Sequence, residues 1–242
     1  MKSIFIVTSC LIPAIGVFSP EERLKQTLET VDSIRKKSPD SFIVLSDVSI
    51  QSLTDKYSEL VSKVDLFLNL NQVDFLLHFT KNGMKSQGEC AMMHVVLDYL
   101  KQNSDLLEGV DRVFKITGRL QLDDGFDISQ YDGLNGKYVF KERIPTWMSE
   151  PVHGATHVFD TRLWSMCTSL VDTHQLVLQE VFPLLGPLDL EHAYYSIIDK
   201  EKVVEFDRVH CKGQVASTGE WKWTTKVCCN SIGRQCYHSK LF

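Results

Sequence analysis

The fold turns on three short runs: Ile4-Phe5-Ile6-Val7-Thr8-Ser9, then Ser19-Pro20-Glu21-Glu22, then Phe42-Ile43-Val44-Leu45-Ser46-Asp47. The first is apolar and β-rich and ends on a Thr-Ser pair. The second is a helix start, in which Ser19 caps, Pro20 takes the first helical position and two acids fill the first turn. Leu24, Leu28, Val31 and Ile34 then recur at helical spacing, so this helix has one inward face. Ser38-Pro39-Asp40 breaks it before the third run. Strand, helix and strand within about 45 residues make a βαβ unit, which requires a parallel sheet and a right-handed crossover.

The pattern continues outward. Residues 53–64 read as a second helix, 66–70 as a short strand, and 86–100 as a helix whose apolar side is Met92, Met93, Val96, Leu97 and Leu100. Residues 113–116 form another buried strand, while 75–80 fit either element. Further on, 138–140 and 157–159 read as strands, and 162–170 and 173–182 as helices. Pro183 and Pro187 frame a turn before a helix over 188–199, and a last strand covers 203–206. With no repeat, low-complexity stretch or linker, the expected fold class is α/β: one domain over residues 1–242, with a mixed, mostly parallel sheet flanked by helices.

Composition narrows the function. A hydrophobic share of 43% beside 24% charged residues is ordinary for a globular chain, so disorder is not indicated. The net charge of −5 opposes general nucleic-acid binding, which needs a basic face. The apolar start resembles a signal peptide, but Thr8, Ser9 and Pro13 interrupt it and no small-x-small cleavage site follows. No stretch approaches the roughly 20 apolar residues of a membrane span. The expectation is a soluble, cytoplasmic protein with no transmembrane segment. Of the seven cysteines, Cys10, Cys90 and Cys167 sit in apolar settings and read as core. Cys211, Cys228, Cys229 and Cys236 crowd the C-terminal end beside His210 and His238, where zinc or a local disulfide is open, although no paired C-x₂-C occurs.

In open parallel sheets, ligands bind beyond the carboxyl ends of the strands. The residues in that place are Thr8-Ser9, Asp47 and Thr117-Gly118-Arg119. The hydroxyls and the carboxylate suit a base and ribose, Gly118 admits close approach to backbone, and Arg119 suits phosphate. No G-x-G-x-x-G follows the first strand, and neither a P-loop nor a G-x-S-x-G elbow occurs, which disfavours dinucleotide oxidoreductases, P-loop enzymes and α/β-hydrolases. A second signal is Lys81-Asn82-Gly83-Met84-Lys85-Ser86-Gln87-Gly88-Glu89. Ser86 with Glu89 has the form of a capping box, and Lys81 and Lys85 add positive potential before a helix N-terminus, which suits a diphosphate.

In this order, residues 4–9, 42–47, Lys85-Ser86-Gln87-Gly88-Glu89 and Arg112-Val113-Phe114-Lys115-Ile116-Thr117-Gly118-Arg119 resemble a glycosyltransferase of the GT-A type. The Lys-Ile-Thr-Gly-Arg string is similar to a K-[IL]-[ST]-G-R segment of small bacterial and viral glycosyltransferase-like proteins. The resemblance spans roughly residues 3–200 and implies a Rossmann-like fold. Residues 1–120 would then form the nucleotide-sugar half, and 121–242 the acceptor half and tail. It implies hexosyl or pentosyl transfer from a UDP- or GDP-sugar to a hydroxyl of a glycan or glycoconjugate. Thr8, Ser9, Asp47, Lys85, Gly88, Glu89, Lys115, Gly118, Arg119 and His210 would hold the donor.

The sequence departs from that family at the metal motif. Where Asp-x-Asp is usual, Thr117-Gly118-Arg119 stands. Asp123-Asp124, with Asp127 nearby, would be an offset ligand set for Mn²⁺ or Mg²⁺. Alternatively, Asp123-Asp124-Gly125 is a turn, and Arg119 and Lys115 neutralise the diphosphate without metal. Residues 151–159 resemble the loop and strand beneath the acceptor site. Pro187-Leu188-Asp189-Leu190-Glu191-His192 resembles the helix start that supplies a catalytic base, with Glu191 first choice and Asp189 second. His210, Lys212 and residues 213–219 read as a loop closing over the diphosphate, and Trp221 and Trp223 as stacking rings or tail anchors. The rival function is a non-catalytic nucleotide- or glycan-binding module of the same fold.

Overall fold

A computed structural model describes residues 1–51 and 55–214, with 221–223 as backbone. In chain order the elements are β1 (Ser3–Ser9), α1 (Pro20–Lys37), β2 (Phe42–Asp47), α2 (Ser58–Ser62), β3 (Leu66–Asn69), α3 (Asp74–Lys81), α4 (Lys85–Gln102), β4 (Arg112–Thr117), β5 (Leu120–Leu122) and β6 (Tyr138–Lys141). They continue with β7 (Ile144–Pro145), β8 (His157–Val158), β9 (Leu163–Cys167), α5 (Val171–Val181), α6 (Leu190–Ile197), β10 (Val203–Phe206), β11 (Cys211–Gln214) and β12 (Trp221–Trp223).

Every residue of β1 is buried. Ile4 and Ile6 enter one core and Phe5 and Val7 the other, the two-residue period of a strand covered on both faces. The main sheet has seven strands in the order β10-β6-β9-β4-β1-β2-β3. Parallel pairing joins β1 to β2 and β4, and β2 to β3, while β9 runs antiparallel between β4 and β6. Val31 and Ile34 of α1 cover one face, and Met93, Val96 and Leu97 of α4 with Leu178 of α5 and Tyr194 of α6 cover the other. Phe5 stacks on Phe114 at 4.5 Å, a pair that contributes about 0.5–1.5 kcal/mol beyond area burial. β5 and β11 pair in a small second sheet that extends from the carboxyl end of β4.

The mixed, mostly parallel α/β sheet expected from the sequence is present. Residues 162–170, expected as a helix, contain the interior strand β9. Leu163 enters one core while Trp164 and Met166 enter the other, and two buried faces erase the polar alternation that marks a strand. Residues 75–80 lie in helix α3. The capping box at Ser19–Glu22 is formed in both directions. The one expected at Ser86–Glu89 is not: α4 begins at Lys85 without a side-chain cap, and Glu89 turns to Lys115. Among the described residues, no helix is long and apolar enough to cross a membrane.

Candidate functional site

The carboxyl ends of β1 and β4 open into a cleft of about 180 Å³. Its floor and walls include Thr8, Ser9, Thr117, Gly118 and Arg119 from the strand ends, Arg23 and Thr27 from α1, and Lys85, Gly88 and Glu89 from α4. Gly118 joins these parts. Its N–H donates to Thr8 O at 2.8 Å, and its carbonyl accepts from Thr27 Oγ1 at 2.7 Å. A Cβ there would lie 3.2 Å from Thr8 O and 3.3 Å from Thr27 Oγ1, so any larger residue would push the three elements apart by a few tenths of an ångström. Gly83, at φ +68°, turns α3 into α4 against Ile15 of the overlying loop.

Asp47 does not reach the cleft. It is fully buried, accepts from Leu11 N and Ser49 N at 2.9 Å each, and also accepts from Ser49 Oγ. Desolvation raises its carboxyl above the usual range, against these hydrogen bonds. Ser49 Oγ accepts from Ile12 N at 2.9 Å, so Asp47 and Ser49 clasp the segment after β1 that forms the cleft rim.

Lys115 is likewise a framework residue. Its ammonium is buried beside Glu89 and donates to Thr117 Oγ1 at 3.0 Å and Thr161 O at 2.8 Å. An ammonium has three donors, so none remains for a phosphate. Thr161 Oγ1 in turn donates to Glu191 Oε1 at 2.9 Å. Lys115 and Thr161 thereby tie the lining residue Glu89 to Glu191. Burial pushes the Glu191 carboxyl up to about 7, with Asp189 and Glu89 adding like charge.

Charge in the cleft is unbalanced. Arg23, Lys85 and Arg119 line it, and Glu89, the one carboxylate among the lining residues, already faces Lys115. Among the described residues none of the three cations makes an ion pair. Burial, and Arg23 after it, bring Arg119 down to about 10. Burial also lowers Arg23, whose guanidinium lies over the Phe18 ring and whose Nε is buried without a hydrogen-bond partner among the described residues. Removing an unpaired charge from water is costly, so this arrangement favours an anionic ligand. The uncapped N-terminus of α4 faces the same space with no acid in its first turn. Arg23 was missed in the sequence. Its signal is a cation in the first turns of a helix, where the dipole disfavours one.

Asp123, Asp124 and His210 lie elsewhere. Asp123 Oδ1 accepts from Gly125 N at 2.8 Å and sits 3.1 Å from His210 Nδ1. Asp124 is exposed and pairs with Lys36 and Lys37 at the far end of α1. Arg23 and Lys37 are separated by about 20 Å of helix. The offset ligand set is therefore a turn, one helix length from the cleft. The cleft itself does not suit a divalent cation: Thr117 ends β4, Gly118 and Arg119 follow it, and no three His, Cys, Asp or Glu gather among the described residues. Residues 215–220, Cys228, Cys229, Cys236 and His238 lie outside the described residues, as do the side chains of Trp221 and Trp223.

Beside Glu191, Asp189 caps α6 through His192 N at 3.0 Å and lies 2.6 Å from His192 Nδ1. His192 is fully buried, and its Nε2 is 2.7 Å from Thr146 Oγ1. Trp147, 58% exposed, stands edge-on to this ring at 4.5 Å. It too was missed in the sequence, because nothing local marks an exposed indole braced by a distant histidine.

No family model matches the chain, and no curated protein matches it in sequence. Solved structures do match. Core-mannan synthase A from Aspergillus fumigatus, in an Mn/GDP form, aligns over 86% of this chain and 73% of its own, at 9% identity and a TM-score of 0.52. The mannosyltransferase Ktr4p from S. cerevisiae aligns over 85% and 69%, at 9% identity and a TM-score of 0.53. The chain has the fold of these glycosyltransferases. At such identity the likeness establishes the GT-A, Rossmann-like architecture, whose sheet presents the cleft at the strand ends where ligands of such folds bind.

Proposed function

We propose that the protein transfers a hexose or pentose from a uridine- or guanosine-diphosphate sugar to a hydroxyl of a glycan or glycoconjugate. One observation carries this: three cations that make no ion pair among the described residues share a cleft with a wall that leads to a carboxyl poised near neutrality. The neighbours, a core-mannan synthase in an Mn/GDP form and a mannosyltransferase, support the same reading.

The roles follow from placement. Thr8 and Ser9 offer hydroxyls to the nucleoside, with Asp47 holding the rim behind them. Arg119, Lys85 and Arg23, with Gly88 and Gly118 admitting close approach, receive the diphosphate. That group departs with two or more negative charges, so fixed cations act mainly on the leaving group. Glu191 accepts the acceptor proton, and a pKa of about 7 suits that task. Asp189 positions His192 and, through it, the Trp147 ring, which offers a sugar-stacking face.

The test is calorimetry of the full chain against GDP, UDP and their sugars, followed by an assay of donor consumption. Nucleotide binding with release of free sugar supports transfer. Saturable binding with no donor consumed makes the protein a binding module, and binding of neither nucleotide removes the proposal.

A further inference from the structure

We infer that this cleft holds the donor diphosphate without a divalent cation, and that Arg23 supplies part of the charge a metal would otherwise bring. The inference rests on the sugar-transfer reading and extends it to how the diphosphate is recognised.

Electrostatics comes first. A divalent ion bridging a diphosphate needs acidic ligands, and each acidic ligand reduces the positive charge the protein contributes. Here the order is reversed. Arg119 stands at the strand end, Arg23 and Lys85 flank it, and the cleft's one lining carboxylate is neutralised by Lys115. An added cation would meet like charge with no ligand set among the described residues.

Donor geometry is the second argument. Arg23 Nε is buried and has no hydrogen-bond partner among the described residues, while its guanidinium is steadied over Phe18. A buried N–H left without an acceptor is costly, and a phosphate oxygen supplies that acceptor. Arg119 has Nε donated to Gln214 O at 3.2 Å. With Nε so held, its terminal nitrogens are the part of the guanidinium left to meet a phosphate. The two guanidiniums also repel one another, Arg23 helping to depress Arg119, and an intervening dianion turns that repulsion into attraction.

The experiment measures GDP, UDP and inorganic pyrophosphate binding to the full chain by calorimetry, in EDTA and in Mn²⁺. The inference expects Kd values within about twofold between the two buffers, and weakening by about tenfold or more in Arg23→Ala, because hydrogen bonds to charged groups are worth that much. Arg23→Lys, which keeps the charge, should recover part of the loss. Circular dichroism and thermal melts show whether each variant is folded, and in any variant that is not, Arg23→Lys and Arg23→Gln carry the comparison. Nucleotide binding that appears only with Mn²⁺ overturns the inference and leaves sugar transfer standing. Wild-type affinity in folded Arg23→Ala also overturns it. No nucleotide binding in either buffer overturns both.

Discussion

Two charged regions at opposite ends of α1 look alike in sequence and differ in what they can do. Near the helix start, Arg23, Lys85 and Arg119 gather without an ion pair among the described residues. Near the helix end, Lys36 and Lys37 meet Asp124, and Asp123 meets His210 and the Gly125 N–H. Both regions lie at polar loop segments beside the same small sheet. At one end the charges satisfy each other and close a turn. At the other they are held by the fold and await a ligand. Pairing, more than the number of charged residues, separates framework from site.

The largest effect should come from removing the most deeply seated cation of the open set. Arg119→Ala is expected to lower turnover by more than about tenfold, since stabilisation of the departing diphosphate is lost in the transition state. Steady-state kinetics decides it. Wild-type turnover in a folded variant would show that the open set is no more functional than the closed one.

Glu191 sharpens the contrast through pH. Its folded pKa is about 7, against an ordinary value of 4.5, mainly because it is buried. The ionised form is therefore penalised in the folded state. Stability associated with this group is intact below about pH 4.5 and is lost as pH rises through about 7. Glu191→Gln should raise stability above pH 7 by about 1–3 kcal/mol and leave it unchanged near pH 4. Catalysis runs the other way: kcat/KM of the wild type should fall below about pH 7 as the base is protonated, and the variant should lose that limb. Denaturant melts and pH–rate profiles measure the two. Matching pH dependence in the variant would assign the limb to another group.

The sequence exposed the open region only in part. Thr8, Ser9, Lys85, Gly88, Glu89, Gly118 and Arg119 were legible because strand ends and helix starts are local features, and all of them line the cleft. Asp47 and Lys115 shared the same positions but are buried behind it, with part of their hydrogen-bonding capacity filled by partners far along the chain. A local pattern gives a residue's place on a strand but not which groups come to meet it. The same limit hid β9, whose two buried faces imitate a helix, and Arg23, whose neighbours across the cleft arrive from β4 and α4. Asp123-Asp124 stayed open between a metal set and a turn for the converse reason. Adjacent carboxylates suggest a metal until the lysines that close the turn are brought in by α1.

Trp147 tests whether the open region extends to the acceptor side. Trp147→Ala should raise the acceptor KM by about tenfold while nucleotide affinity stays unchanged, because the ring is braced by His192 and does not line the donor cleft. Trp147→Phe should retain most of the function. A variant that weakens nucleotide binding instead would place the indole on the donor side.

The smallest effect belongs to the closed region, and it bears most directly on the comparison. Asp124 is 92% exposed at its side chain, and its lysine contacts lie at 3.3 and 3.8 Å. Pairs made by so exposed a carboxylate are worth little, because water solvates it well and ordering the lysine chains offsets the attraction. Asp124→Ala should therefore move the denaturation midpoint little and leave nucleotide affinity unchanged, in Mn²⁺ or in EDTA. If Asp124 instead held a metal for the donor, its loss would abolish the Mn²⁺ dependence of binding despite the length of α1 between it and Arg23. A null result in both buffers, beside a large loss in Arg119→Ala, would show that the two ends of one helix carry charge for different purposes.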